Sequence, residues 1–405
     1  MVVQGAEPFV RKVLFFTHAE SGQANTILAL ALELLTRPHV QVHIASFPSL
    51  SRRVHGLNQA IKFHSLDGSD MLHALPAQGL TEESVKHPPV TKSWRLYDHL
   101  LVPALTVWDG EEYMRIYKSC KKVIEEIQPD LVVLDAIFNP GLDACFTLNQ
   151  RFLLNTPNTP LDVVRVLQPW LKGFWYYPAL ASAIPFPVPW SLLLLNIWIS
   201  IRLIYVVITS TQLNNLIKYR NEHGLPGRLP MDTALSRTLH MISPGIRELD
   251  YPLFIPDTIG LYGPMVLDTT PIEVADPELT QWLDRGETVM MCMGTHYLYT
   301  VSQIRAVVNG FLGAVGHNYG VQFFWKLSGM DRFEGLIEEL LANPKDRERF
   351  RIVDWIHADP SAVMNHPNVV VSIHHGGANS YYEAARAGVP QIILAQWFDL
   401  YDMAT

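Results

Sequence analysis

The fold of this chain is limited most by an alternation of short apolar runs with helical patterns, repeated along its length. Val13-Leu14-Phe15-Phe16 is four apolar residues without a polar break, which is how a strand covered on both faces reads. A polar loop, Thr17 to Gln23, precedes a helical pattern from about Asn25 to Leu35 that stops near Pro38, and a second strand is predicted at Val40 to Ser46. Strand, loop, helix and strand within ~35 residues make a βαβ unit and therefore parallel pairing. The pattern recurs where Met114, Tyr117, Cys120, Val123, Ile124 and Ile127 keep helical spacing ahead of the strand Leu131 to Leu134. It resumes late in the chain: strand Thr288 to Met293, a helix through Ile304, Val308, Phe311 and Val315, then strands at Val321 to Leu327, Val369 to Ile373 and Ile392 to Leu394. Asp359-Pro360 is predicted to open a short helix, to about Asn365, ahead of the strand at Val369. The class is α/β, with two parallel halves.

Between the halves the order lapses. Residues 157–210 are rich in proline and aromatics and read as an insert in a first domain of residues 1–242. Residues 243–277 carry six prolines and no period, and read as a linker to a second domain at 278–405. Within the insert, 191–209 could span a bilayer by length. Asn196 and Arg202 interrupt it, however, and a central Arg costs ~2.5–3.5 kcal/mol, so a buried or membrane-surface helix is expected. The formal net charge is −8 with no basic run, which argues against nucleic acid. Three widely separated cysteines, Cys120, Cys145 and Cys292, fit no disulfide or zinc framework. They suit reduced thiols in a cytoplasmic setting.

The most informative segment is His374-His375-Gly376-Gly377-Ala378-Asn379-Ser380, between a strand and a helix that Gly388-Val389-Pro390 ends. Gly376 and Gly377 let backbone N–H groups approach an anion, and the helix N-terminus adds partial positive charge. Asn379 and Ser380 can cap the helix or bond phosphate oxygens. The same glycines also suit a plain tight turn with Asn379 as cap. No metal site is expected, since His374 and His375 have no HExxH or carboxylate at ligand spacing. No GxSxG elbow and no GxGxxG after a strand occurs.

Trp355, His366-Pro367, His375 to Ser380, Glu383, Gly388-Val389-Pro390 and Asp399 together resemble the donor-binding signature of UDP-glycosyltransferases. Upstream, Gly263-Pro264, Trp282-Leu283-Asp284 and Met293-Gly294-Thr295 follow in family order. The opening Glu20-Ser21-Gly22-Gln23-Ala24-Asn25 is most like the fungal branch. The resemblance implies a GT-B fold of two facing Rossmann-like domains and metal-independent, inverting transfer of a hexose, glucose first, from a UDP-sugar. No cofactor is implied beyond that donor substrate. Carried over by position, it implies that Trp355 stacks on uracil and Glu383 bonds the ribose. His375, Asn379, Ser380 and Thr295 would hold the diphosphate, and Asp399 the sugar hydroxyls. Leu400 stands where a glutamine usually follows the aspartate. Glu383, alone, could equally complement the dipole of a first helical turn.

The family base is a His after the first strand, oriented by an Asp ending a later one. Asp135 matches the second position, but Gln23 occupies the first, and a carboxamide takes no proton at neutral pH. Glu20 and Asp135 rank level as substitutes, with His18 behind because it lies nearer the strand end. An acidic acceptor needing no base, and a catalytically silent nucleotide-sugar-binding protein, are the alternatives. Trp170, Phe174, Trp175, Tyr176, Tyr177, Phe186, Trp190 and Trp198 suit a lipophilic acceptor, a membrane face, or simple packing of the insert. Measured against the family pattern, the sequence after Asp399 is short. The second domain is expected to be incomplete, with no element after Leu394 to cover its edge.

Overall fold

The computed structural model of the chain describes residues 10–80, 95–232, 240–294, 297–316, 318 and 320–404. It divides into two units, the first ending at Leu267 and the second running Asp268–Ala404.

The first unit holds seven parallel strands: β1 (Arg11–Phe16), β2 (Val40–Ser46), β3 (Lys62–Ser65), β4 (Leu131–Asp135), β5 (Phe152–Asn155), β6 (Met241–Ser243) and β7 (Ile259–Leu261). Their order is β3-β2-β1-β4-β5-β6-β7, and the register pairs Phe15 with Ile44 on one side and with Val133 on the other. Successive side chains leave opposite faces of a strand, so each run feeds two layers. Leu14, Phe16, Val132 and Leu134 enter one core, and Val13, Phe15, Val42, Ile44 and Val133 the other. Burial on both faces is why these strands look like unbroken apolar runs. Helix α1 (Ser21–Leu35) makes the first crossover, α2 (Gly110–Ile127) leads to β4, and α3 (Asn139–Thr147) follows it. Asp109 caps α2 by accepting from the Glu112 N–H at 2.9 Å.

Two boundaries differ from expectation. Strand β6 begins inside the first domain and ends at Ser243, and β7 lies wholly within the predicted 243–277 linker. Both strands pair into the first sheet. Three-residue strands between prolines carry no readable period, so sheet membership there was hidden. The insert is a set of short helical turns closed by α4 (Leu193–Thr209) and α5 (Thr211–Glu222). A buried ion pair ties α5 down: the Arg220 guanidinium donates to both Asp143 oxygens at 2.7 and 2.9 Å, and the Tyr113 hydroxyl adds a third bond at 2.6 Å. Of the aromatics in this region, Tyr177, Phe186 and Tyr251 pack on one another, with Phe186 and Tyr251 centroids 4.4 Å apart. Tyr176 joins them, edge-on to Tyr177 and Phe186, so the packing reading describes Tyr176, Tyr177 and Phe186 among the aromatics singled out in the insert.

The second unit has five parallel strands: β8 (Glu287–Cys292), β9 (Val321–Lys326), β10 (Phe350–Val353), β11 (Val369–His374) and β12 (Gln391–Ile393), in the order β10-β9-β8-β11-β12. Helix α6 (Val301–Val315) links β8 to β9, and α7 (Ala378–Ala387) links β11 to β12. Asp359 caps the short helix Pro360–Met364 as expected, accepting from Ser361 N–H at 2.9 Å. Ile392 on β12 and the following Leu394 are exposed. The expectation that nothing follows Leu394 is corrected by the helix Leu400–Ala404. All three thiols are free.

Candidate active site

In an open parallel sheet, ligands gather beyond the carboxyl ends of strands where the strand order reverses. The two sheets reverse at β1/β4 and at β8/β11; His18 and Asp135 follow β1 and β4, and the turn His375 to Gly377 follows β11.

In the first unit, β1 delivers His18 and β4 ends in Asp135. His18 Nδ1 lies 3.2 Å from Asp135 Oδ2, and both side chains are almost fully buried. The second carboxylate oxygen accepts the Ile137 N–H at 3.1 Å. Both Asp135 oxygens thus have partners within the protein. The imidazole lies flat against Trp108 (centroids 5.7 Å apart, planes 2° apart) and meets Phe138 edge-on at 5.0 Å. Trp108 is aimed by its indole N–H, which donates to Ser69 O at 2.8 Å. With Nδ1 facing the carboxylate, Nε2 is the nitrogen left to take a proton.

Glu20 is no solvated loop charge. It is the N-cap of α1, its Oε1 accepts the Leu72 N–H at 2.8 Å, and its Oε2 is buried with no partner among the described residues. Gln23 lies in the first turn of α1, its Oε1 likewise buried without a described partner. Of the three candidates, His18 is paired with Asp135 and Glu20 is not. Trp108 was missed, because a tryptophan ahead of a helix cap carries no signal that it roofs a residue ninety positions away.

In the second unit, β11 passes into the glycine turn. Gly376 sits at φ +93°, where a Cβ would lie 2.8 Å from Ile393 Cγ2 and 3.0 Å from Leu400 O. His374 holds this shape: its Nδ1 accepts the Gly376 N–H at 3.0 Å, and its Nε2 faces Gln391 Oε1 at 2.7 Å. Burial pushes the His374 pKa down, against the raising effect of the Gln391 bond. The ring is therefore the neutral form, donating from Nε2. The cap of α7 is Gly377, without a side-chain cap bond, so Asn379 is not the cap that a plain turn would use. The His375 ring fits over glycine: a Cβ on Gly377 would meet its Nε2 at 2.5 Å, and one on Gly294 its Cε1 at 3.1 Å. Asn379 and Ser380 follow in the first turn, half-buried.

Glu383 is the sixth residue of α7, not a first-turn residue, so complementing the dipole does not explain it. Its charge helps raise the thiol pKa of Cys292 at the end of β8, an effect led by burial. Trp355, just beyond β10, is 57% exposed, which rules out the core role. The Lys326 ammonium lies 4.6 Å from its ring centroid and donates to Gly294 O at 3.0 Å. Lys326, the last residue of β9, is the residue that the sequence reading overlooks here. Asp399 is half-buried, whereas Leu400 is buried, its carbonyl against Gly376. His366 faces Asp284 at 3.3 Å and serves the strand's approach. Thr295 lies outside the described residues. Among the described residues, no three His, Cys, Asp or Glu side chains gather as metal ligands.

A family model described as UDP-glucoronosyl and UDP-glucosyl transferase matches residues 312–404. The chain is 32% identical to a glycosyltransferase, sdnJ, of Sordaria araneosa, over 97% of this chain and 81% of that one. Its fold is similar to a UDP-glucosyltransferase from Polygonum tinctorium capable of glucosylating indoxyl (TM-score 0.62, 16% identity, covering 98% and 83% of the two chains). It is also similar to a transferase from Siraitia grosvenorii solved with UDP (TM-score 0.57, 17% identity, 97% and 82%).

Proposed function

This chain belongs to the UDP-glycosyltransferase family, with the GT-B fold, and from that premise we propose that it transfers a hexose, glucose first, to a lipophilic acceptor hydroxyl with inversion. The observation that carries this reading is the buried His18–Asp135 pair at 3.2 Å. Asp135 fixes the Nδ1–H tautomer and stabilises the imidazolium that forms when Nε2 takes the acceptor proton. The acceptor oxygen then bonds the anomeric carbon as its bond to UDP breaks, leaving the diphosphate with the negative charge. Backbone N–H groups of Gly377 and the start of α7, with His375, Asn379, Ser380 and Thr295, would hold that charge, while the Gly376 N–H is taken by His374. These are neutral donors reinforced by the helix dipole, so the scheme invokes no metal and no cofactor. Trp355 would stack on uracil from its open face, Glu383 would bond the ribose, and Asp399 the sugar hydroxyls.

With His18 in this role, Gln23 does not leave the site without a base, and it is assigned to positioning the acceptor. A second reading, Glu20 as base, rests on its partnerless buried Oε2. The test is UDP release from UDP-glucose, UDP-galactose and UDP-glucuronate with a panel of phenolic and lipid-like alcohols, with products read by mass. UDP release that depends on an added alcohol, and a product heavier by one hexose, are expected. UDP binding without acceptor-dependent release would overturn the proposal in favour of a silent binding protein.

A further inference from the structure

The surface stripe of a helix on a soluble domain is normally polar. Helix α4 breaks that rule. Leu194, Trp198, Ile201, Ile204, Tyr205 and Ile208 recur every three to four residues along it, and all face outward, Leu194 at 82% exposure. The window Trp190–Thr209 has a mean hydropathy of 2.1, yet only 22% of it is buried. It is therefore not a core helix. Its inner side carries polar residues: Asn196 and Ser200 are buried there with Ile199 and Val206. Beside it, Trp170 and Leu171 are held outward by two consecutive left-handed backbones (φ +59° and +54°), a conformation that costs non-glycine residues free energy.

We infer that this face docks on a lipid surface, with α4 lying in the plane of the membrane rather than crossing it. Three observations favour lipid over a second copy of the chain. The helix is ~25 Å long at ~1.5 Å per residue, so a stripe ~10 Å wide offers roughly 250 Å², against about 800 Å² per partner in a stable protein interface. The helix's one charged residue, Arg202, is neutralised by Asp98 at 2.5 Å and lies over the Tyr205 ring, so the face asks for no charged partner. Trp190, Trp198 and Tyr205 are residues that settle at the boundary between headgroups and hydrocarbon. Crossing the bilayer is disfavoured by Asn196. Its side chain bonds three backbone groups of the preceding loop, Phe174 O, Tyr177 O and Ala179 N, at 2.7–2.9 Å. A spanning helix would have to break all three.

The experiment is flotation of the full chain with neutral phosphatidylcholine vesicles, alongside the triple variant Leu194→Gln, Ile201→Gln and Ile208→Gln. These three side chains are exposed, so the variant should keep its circular dichroism and UDP affinity. The wild type is expected to float in low and in high salt, the variant to float at least tenfold less, and carbonate to strip the wild type from the vesicles. Absence of wild-type flotation, or binding confined to anionic vesicles and lost in salt, would overturn the inference. So would a dimer abolished by the triple variant in sedimentation, which makes the face a protein interface. Resistance to carbonate would overturn the in-plane reading.

Discussion

Both sheets bring histidine to the point where their strand order reverses, and they use it in opposite ways. In the first unit, His18 faces a carboxylate and is walled in by Trp108 and Phe138. In the second, His374 takes a backbone N–H and hands its own proton to an amide oxygen, while His375 lies over glycine. The first arrangement fixes a ring between a buried carboxylate and two aromatic walls, the geometry that the proposed proton transfer needs. The second keeps its ring neutral and braces the glycine turn, which suits the proposed binding of an anion without a cation. One topology supports both because the switch point fixes only where the residues sit, not their chemistry.

The largest break in this contrast is expected from His18→Ala. Loss of a general base should lower turnover by roughly 10²–10⁴-fold, while UDP affinity, a property of the second unit, stays within twofold by calorimetry. Asp135→Asn should act in the same direction, because the carboxamide can select the wrong tautomer. If His18→Ala retains full turnover and Glu20→Gln loses it, the base is Glu20 and the contrast between the two histidines fails.

Next in size is Gly376→Ala. A side chain at φ +93° with Ile393 Cγ2 at 2.8 Å should cost about 2–4 kcal/mol of second-unit stability, combining backbone strain with overpacking. It should also weaken UDP binding, and thermal unfolding with and without UDP reads both effects. Trp355→Ala removes a stacking platform, worth about 1–3 kcal/mol per base. Some 10-fold or greater weakening of UDP binding is expected, with the melting temperature unchanged because the ring is exposed. Unchanged affinity would move the base elsewhere in the unit.

What the sequence disclosed follows the range of the physics involved. Strands β1 and β4 were readable because burial on both faces forces continuous apolar runs. The glycine turn was readable because a left-handed backbone and a close approach leave few residue choices. The pairing of His18 with Asp135 was not, since it joins positions 117 apart in sequence and exists only once β1 and β4 are neighbours. Nearness in sequence to the family position favoured Glu20 instead. Strands β6 and β7 were missed for the reason given by their length. Trp355 was reached only through the family resemblance: neither strand β10 before it nor Lys326 against its ring carried a sequence signal.

The smallest expected effect separates the histidines by pH. His374 has its pKa lowered chiefly by burial, so the unfolded chain takes up this proton first as pH falls. Its contribution to stability is complete above the unfolded value of about 6.5 and is lost as pH drops from there toward its own lower value. Protonation also removes the lone pair that accepts the Gly376 N–H, so the turn that would hold the diphosphate loses its support. UDP affinity should therefore weaken a few-fold as pH falls from about 6.5 toward the lowered value of this ring, in the absence of any acceptor. In His374→Asn, an amide oxygen can accept the same N–H without titrating, so the acid dependence should flatten even if affinity at neutral pH is lower. A wild-type affinity constant down to pH 5 would show that the shape of the turn does not depend on this ring. The work of the second histidine would then fall to His375 alone.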